Sequence, residues 1–190
     1  MNVYQKEEKE LQNVLEAHNS SLSCIQLNSQ GTLLATASEK GTIIRLYNPH
    51  TGDLLQELRR GSDKAEVYSI AIDLKTKWLG CTSDKGTVHI FSIVKLGLSV
   101  EDEVVDESKK DDAKNNKHVF KFMKKISKYF DSEWSFAKFR VTDSRTICTF
   151  DKDENLVVVS ADGTYYRASL DSSHGGECKT LQEKNILESE

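Results

Sequence analysis

A segment that recurs after 45 positions constrains the fold of this chain more than any other feature of its sequence. Residues 33–47 and 78–91 align with each other, and their turn glycines, Gly41 and Gly86, are 45 positions apart. Each copy joins an apolar, β-branched segment to a second alternating segment through a Lys-Gly turn, which is the pattern of a β-hairpin. A repeat of this length is typical of the blades of a WD-type β-propeller.

A third copy at residues 156–166 has an Asp-Gly turn at Gly163, which lies 77 positions after Gly86. That separation exceeds the first period by 32 residues, so an insertion is predicted between the second and third copies. The predicted fold is all-β, with about three four-stranded antiparallel WD-type blades and a long inserted loop that contains an amphipathic helix. Propellers close over about four to eight blades, so the chain is expected to form part of a propeller.

The repeat also predicts how the chain is divided. We expect a lead-in with a partial outer strand, a partial propeller and a C-terminal tail. The predicted ranges are 1–17 for the lead-in, 18–175 for the partial propeller, with blades near 18–58, 65–140 and 141–175 and the insertion at 97–132, and 176–190 for the tail.

Composition and charge exclude several classes of protein. The net charge of −4 argues against a general nucleic-acid binder. No apolar stretch approaches the roughly 18 residues of a membrane span, and the N-terminus lacks the apolar core of a secretory signal, so a cytoplasmic chain is expected. No histidine lies in a nucleophile, metal or general-base motif, and we predict no enzyme activity, metal site or cofactor.

None of the four cysteines forms a C-x-x-C pair with another, which argues against a zinc or redox motif. Cys24, Cys81 and Cys148 lie in apolar strand-like segments, where a free cysteine behaves as a small core residue.

The segment between the first two copies resembles a known family. Residues 58–61 read Leu-Arg-Arg-Gly and lead into the apolar strand 65–72, while the flanking segments 33–47 and 83–91 match in register. This arrangement resembles the PROPPIN family, whose hallmark is a Phe/Leu-Arg-Arg-Gly motif that leads into a new blade. The resemblance covers residues 14–170 and implies that the three copies are blades five, six and seven of a seven-bladed propeller.

The two arginines of the motif are suited to two separate phosphate sites. Neighbouring residues in an extended segment point to opposite sides, so Arg59 and Arg60 cannot easily serve one pocket. A guanidinium presents a planar fork of donors that matches a phosphate, and Gly61 lets the backbone approach a ligand or turn sharply. In PROPPINs such residues hold phosphatidylinositol 3-phosphate or 3,5-bisphosphate. By that resemblance, headgroup site one comprises Arg59, Ser38, Thr42, Arg45 and His18, and site two comprises Arg60, Ser83, Lys85, Thr87 and His89.

Structural roles for these residues remain open at the level of the sequence. Paired arginines on a surface strand are often a solvated face or a salt-bridge site. Thr42 and Thr87 would equally satisfy backbone groups of the turns. His18 also fits the internal hydrogen-bonding histidine found near the entrance to WD-type blades.

The insertion has two halves of opposite charge. Residues 101–113 carry seven acidic residues and two lysines and are predicted to be disordered, whereas residues 114–130 carry six lysines and no acidic residue. In a helical projection of the second half, apolar and basic residues lie on opposite faces, which predicts a helix in the headgroup plane of a membrane. The alternative is a helix that packs on the propeller flank or in a protein groove. The residues predicted to enter the membrane surface are Phe122, Met123, Ile126, Tyr129, Phe130, Lys121, Lys124, Lys125 and Lys128.

The resemblance implies a peripheral membrane adaptor that acts in autophagy or endolysosomal trafficking. Its expected ligands are phosphatidylinositol 3-phosphate and 3,5-bisphosphate, and its expected partners are autophagy-related proteins. It would associate from the cytoplasm with autophagosomal precursor, endosomal or vacuolar membranes. The alternative is a WD-type protein–protein scaffold in which the same basic residues bind acidic proteins without headgroup selectivity.

Overall fold

The computed structural model of the chain describes residues 2–4, 11–93, 133–142 and 145–187. In these ranges the chain forms sixteen β-strands, and none of the described residues forms a helix long and apolar enough to span a bilayer. The strands are β1 (Asn2–Tyr4), β2 (Leu11–Val14), β3 (Leu22–Leu27), β4 (Leu34–Ser38), β5 (Ile43–Tyr47), β6 (Leu54–Arg59), β7 (Val67–Ile72), β8 (Trp78–Ser83), β9 (Thr87–Ser92), β10 (Glu133–Trp134), β11 (Ala137–Arg140), β12 (Thr146–Phe150), β13 (Leu156–Ser160), β14 (Thr164–Ser169), β15 (Gly176–Glu177) and β16 (Lys179–Asn185).

Three sheets have the strand order of propeller blades, in which strands that follow each other along the chain are neighbours. The first sheet has the order β3-β4-β5-β6-β10, the second β7-β8-β9-β11-β15 and the third β12-β13-β14-β16. All of these pairs are antiparallel except the two edge pairs, β6–β10 and β11–β15, which are parallel. The predicted all-β fold built from blade-like sheets is therefore confirmed.

A polar side chain directly after the first strand of each of the three sheets accepts hydrogen bonds from the turn that leads to the second strand. Asn28 and Asp73 each accept hydrogen bonds from the backbone N–H groups four and five residues further on, at 2.6–2.9 Å. Asp151 accepts one from the N–H four residues further on, at 2.9 Å. Short polar side chains stabilise tight turns in this way, so the repeat includes the turns as well as the strands.

Apolar side chains fill the space between consecutive sheets. The core between the first and second sheets includes Ala35, Ile44, Leu46, Leu58, Leu79, Cys81 and Phe91. The core between the second and third sheets includes Val88, Ile90, Phe139, Cys148, Phe150, Leu156 and Val158. Because strand side chains alternate between faces, the second sheet packs against a neighbour on each side.

The cysteines occupy structural positions in these cores. Cys81 and Cys148 are buried as predicted, Cys24 is half-buried, and Cys178 is buried as well. Burial raises the pKa of the Cys148 thiol to about 12, so this side chain stays protonated at neutral pH.

The third sheet extends beyond the predicted boundary at residue 175. Its last strand, β16, lies within residues 176–190, the range predicted to be a tail, and pairs with β14 along its whole length. Six of the seven residues of β16 are exposed and mostly polar, so the strand lacks the apolar alternation by which strands are recognised.

In the lead-in, β1 and β2 form a two-stranded antiparallel sheet of their own. The predicted amphipathic helix, with all nine side chains assigned to the membrane surface, lies outside the described residues.

Candidate functional site

The Arg59-Arg60 segment lies between the ends of two sheets. Arg59 is the last residue of β6, and residues 60–66 connect β6 to β7. The N–H of Ala65 donates to the carbonyl of Lys40 at 3.2 Å, and the N–H of Asp84 donates to the carbonyl of Glu66 at 3.0 Å. The connection is therefore attached to the β4–β5 turn of the first sheet and to the β8–β9 turn of the second.

Arg59 lies at the C-terminal end of β6, between two strands of the first sheet. It pairs with Ile43 on β5 and, on its other side, with Trp134 on β10. Its guanidinium carbon is 6.0 Å from the centroid of the Trp134 ring, at the outer limit of a cation–π contact. The Arg59 side chain is half-buried against this indole.

Arg60 is buried, with 5% of its surface exposed. Its Nε donates to the carbonyl of Gly41 at 2.6 Å, and Nη2 donates to the carbonyl of Asp63. The Arg60 N–H also donates to the carbonyl of Thr42 at 3.0 Å. The burial of Arg60 argues against the alternative of a solvated surface pair for this residue. Its contacts attach the 60–66 connection to the β4–β5 turn. Its predicted contact with a headgroup stays a prediction.

His18 and Arg45 have partners within the first sheet. His18 Nε2 lies 3.0 Å from Thr36 Oγ1, and burial, together with the charge of Arg45, lowers the pKa of its imidazole. Arg45 Nε donates to Glu57 Oε2 at 2.6 Å, and Nη1 donates to the carbonyl of Ala17 at 2.7 Å. These contacts favour the structural alternative for His18 and give Arg45 a second role within the blade.

Ser38 and Thr42 flank the β4–β5 turn, at the same end of the sheet as Arg59. Both side chains are buried. Strand pairing sets Arg59 opposite Ile43, whereas Arg45 lies two positions further along β5. Of the predicted members of site one, the structure thus places Ser38, Thr42 and Arg59 at the sheet end. His18 and Arg45 lie further from that end and are only partly buried.

Site two lies on the face of the second sheet that meets the first. Side chains alternate along β9, so Thr87 and His89 share a face with Phe91, which packs in the core between these two sheets. Ser83 is buried at the end of β8. Lys85 is exposed in the β8–β9 turn, with Nζ 3.3 Å from Asp84 Oδ2.

His89 is the most perturbed titratable group of the candidate site. Burial, followed by the positive charges of Arg60 and Lys138, lowers the pKa of its imidazole to about 4. Its Nδ1 lies 3.2 Å from Ser135 Oγ. His89 is therefore neutral at pH 7. Arg60 lies near enough to His89 for its charge to act on the imidazole.

Two basic residues that the sequence analysis missed also face this site. Lys138 and Arg140 on β11 pair directly with His89 and Thr87 on β9, and cross-strand partners lie on the same face of a sheet. Both are exposed, while the alternate residues of β11 are buried. The alternation in Ala-Lys-Phe-Arg at 137–140 was the available signal, but no local pattern sets the register in which this segment pairs with β9.

The described residues contain no group of three or more His, Cys, Asp and Glu side chains placed to hold a metal ion. The side chains predicted for the two sites are hydroxyls, imidazoles and cations, which suit an anionic ligand.

The three blade-like sheets, packed side by side along the chain, define part of a WD-type β-propeller. The chain belongs to the PROPPIN family, whose sequence model matches residues 2–187.

Similar proteins agree with this assignment. Autophagy-related protein 18e of Arabidopsis thaliana is 36% identical over 171 residues, which cover 90% of this chain and 42% of the relative. The structure of Kluyveromyces lactis Hsv2 superposes with a TM-score of 0.67 at 24% identity, covering 96% of this chain and 53% of that one. KlAtg21, in a complex with the coiled coil of AgAtg16, superposes with a TM-score of 0.63 at 22% identity, covering 89% of this chain and 43% of that one. The structural likeness confirms the propeller fold, and the chain spans about half the length of these proteins.

Proposed function

We propose that this chain is a phosphoinositide-binding peripheral membrane adaptor that recognises phosphatidylinositol 3-phosphate and 3,5-bisphosphate in autophagy or endolysosomal trafficking. The observation that carries the proposal is the position of Arg59-Arg60, attached to the turns of two sheets that present hydroxyl and basic side chains at the same end. Membership of the PROPPIN family supports the same ligand class.

Site one uses the half-buried guanidinium of Arg59. Its position at the sheet end beside Ser38 and Thr42 supports a charge-assisted contact with a headgroup phosphate. Arg45 contributes chiefly by fixing the blade, because its Nε and Nη1 already donate to Glu57 and Ala17.

Site two depends on cations other than Arg60. The Nε and Nη2 groups of Arg60 are engaged by backbone carbonyls, so this residue shapes the site and supplies a fixed positive charge. Lys85, Lys138 and Arg140 are the exposed cations on that side of the second sheet. We assign the phosphate contacts of site two to these residues, with Thr87 as a hydroxyl partner.

The two sites act together on one membrane. A headgroup held at one site raises the effective concentration of lipid at the other, so two weak sites give a useful combined affinity. The basic segment 114–130 adds attraction to anionic lipid of about 1 kcal/mol per lysine near the surface. The protein has no chemical step in this account, and specificity comes from the phosphate pattern of the headgroup.

Autophagy-related proteins are the proposed partners, and autophagosomal precursor, endosomal or vacuolar membranes are the proposed location. The relative from Arabidopsis is named an autophagy-related protein, and KlAtg21 was solved with a coiled coil of AgAtg16. Both observations support this assignment of the pathway.

Vesicle co-sedimentation tests the proposal. Vesicles matched in total charge would carry phosphatidylinositol 3-phosphate, 3,5-bisphosphate or 4-phosphate, and we expect selective binding to the two 3-phosphorylated lipids. Arg59→Thr should weaken this binding about tenfold or more, because a charge-assisted phosphate contact is lost. The control is Lys152→Thr, which removes one positive charge from an exposed turn of the third sheet.

Equal binding to all anionic vesicles, unaffected by Arg59→Thr, would contradict the two-site proposal. That outcome would favour the protein–protein scaffold, in which the basic surface binds acidic partners. An equal loss of binding in Arg59→Thr and Lys152→Thr would mean that only total charge matters.

A further inference from the structure

An exposed tryptophan lies directly beside site one. Trp134 has 63% of its surface exposed, although its ring is 6.0 Å from the guanidinium carbon of Arg59. Tryptophan is amphipathic, since a large apolar ring carries one N–H donor, and such rings are enriched where membranes meet water.

The backbone of Trp134 is fixed by the first sheet. β10 pairs in parallel with β6, so that Glu133 lies opposite Leu58 and Trp134 opposite Arg59. Gln56 is 2% exposed, and its Nε2 donates to Glu133 Oε2 at 3.0 Å. The backbone that carries the indole is thus held at a defined position in β10, the edge strand of the first sheet. The chain then crosses to the second sheet, where it forms β11.

We propose that Trp134 is an interfacial anchor whose indole enters the headgroup layer when site one holds a membrane phosphoinositide. The inference rests on the proposed function of site one. A lipid headgroup bound at Arg59 brings the bilayer surface to the same sheet edge, within reach of a ring that already contacts this arginine. Burial of the exposed ring then adds apolar binding energy to the phosphate contact, and its contact with the guanidinium keeps Arg59 oriented.

Tryptophan fluorescence tests the inference because the chain has only two tryptophans. Trp78 is 7% exposed, packs on Phe136 with ring centroids 5.2 Å apart, and donates from Nε1 to Glu154 Oε2 at 3.3 Å. Its emission provides a constant background, which Trp134→Phe measures directly. With vesicles that contain phosphatidylinositol 3-phosphate, we expect Trp134 emission to shift to the blue and to be quenched by brominated lipid, and neither change in Trp134→Phe.

Affinity provides the second readout. Trp134→Ala should weaken binding to these vesicles by about three- to tenfold, and binding to soluble inositol 1,3-bisphosphate by less. The matched control is Leu74→Ala. Leu74 is also 63% exposed, but it lies in the β7–β8 turn, at the opposite end of the second sheet from the β8–β9 turn. Leu74→Ala should leave both affinities unchanged.

Three outcomes would overturn the inference. Selective vesicle binding with unchanged Trp134 emission and full affinity in Trp134→Ala would remove the anchor and leave the proposed function intact. A blue shift with the soluble headgroup alone would mean that the indole responds to ligand at Arg59 and needs no bilayer. Absence of selective binding by the unsubstituted chain would overturn the proposed function and the anchor together.

Discussion

Arg60 is a buried cation that joins two backbone segments. Its donors satisfy the carbonyls of Gly41 and Asp63, and its charge adds to burial in lowering the pKa of His89. Arg59, one residue earlier, is half-buried against Trp134. Adjacent residues of one motif thus have different energetic roles, and their substitutions should separate stability from binding.

Arg60→Ala should lower the free energy of unfolding by about 2–3 kcal/mol, because it leaves the buried carbonyl of Gly41 without this donor and removes a buried side chain from the connection. Arg59→Ala should lower it by less, because Arg59 is only half-buried and lies at the outer limit of a cation–π contact. Urea unfolding of both variants measures the difference. Equal, small effects would show that the buried Arg60 contacts contribute little to stability.

His89 should make stability depend on pH. Its folded-state pKa of about 4 lies below its ordinary value of 6.5, so the folded protein favours the neutral imidazole. The corresponding stability is fully present above about pH 6.5 and is lost as the pH falls toward 4. His89→Gln should flatten the fall in the unfolding midpoint between pH 7.5 and pH 5. A profile unchanged by His89→Gln would contradict this assignment.

At the scale of elements, the β4–β5 turn packs closely against the 60–66 connection that follows Arg59. Gly41 has φ of +63°, and a Cβ placed there would lie 1.9 Å from the carbonyl oxygen of Ala65. Gly31 has a similar φ of +70°, but a Cβ there would meet nothing within 4 Å. Both glycines therefore have the left-handed backbone conformation, but only at Gly41 would a side chain also clash with a neighbouring segment.

Gly31→Ala should lower the free energy of unfolding by about 1 kcal/mol, the usual cost of a left-handed conformation with a side chain. Gly41→Ala should cost at least about 2 kcal/mol, because it also pushes the 60–66 connection away from the turn. Thermal or urea unfolding of the two variants gives the comparison. Equal costs would mean that the connection moves without strain.

Elements with a strong local pattern could be predicted from the sequence, and those defined by tertiary pairing could not. The hairpins around Gly41, Gly86 and Gly163 combine alternating apolar residues with a turn glycine, and all three were predicted. β16 is polar and exposed, and β10 has two residues, so neither has a periodicity to detect. Their partners, β14 and β6, are known only once the sheets are assembled.

The candidate site follows the same division. The Leu-Arg-Arg-Gly motif and the repeated polar positions around it could be found in the sequence, since they lie in register with the repeat. The burial of Arg60, the contact of Trp134 with Arg59 and the pairing of Lys138 with His89 depend on contacts between separate segments. No local pattern encodes such contacts, so these features emerge only from the fold.

At the scale of the whole molecule, the Arg59-Arg60 motif lies between two sheets because consecutive sheets pack side by side. Packing of Ala35 and Ile44 against Leu79 and Phe91 fixes the spacing between the first and second sheets. The 60–66 connection then lies between two similar sheet ends, each with its own turn and its own polar side chains. This architecture predicts two headgroup sites in a single chain.

The number of headgroups bound per chain tests this claim most directly. Isothermal titration of the unsubstituted chain with soluble inositol 1,3-bisphosphate should give two equivalents per chain, and Arg59→Thr should reduce this to one by removing site one. A stoichiometry of one in the unsubstituted chain, or no binding, would contradict the two-site account.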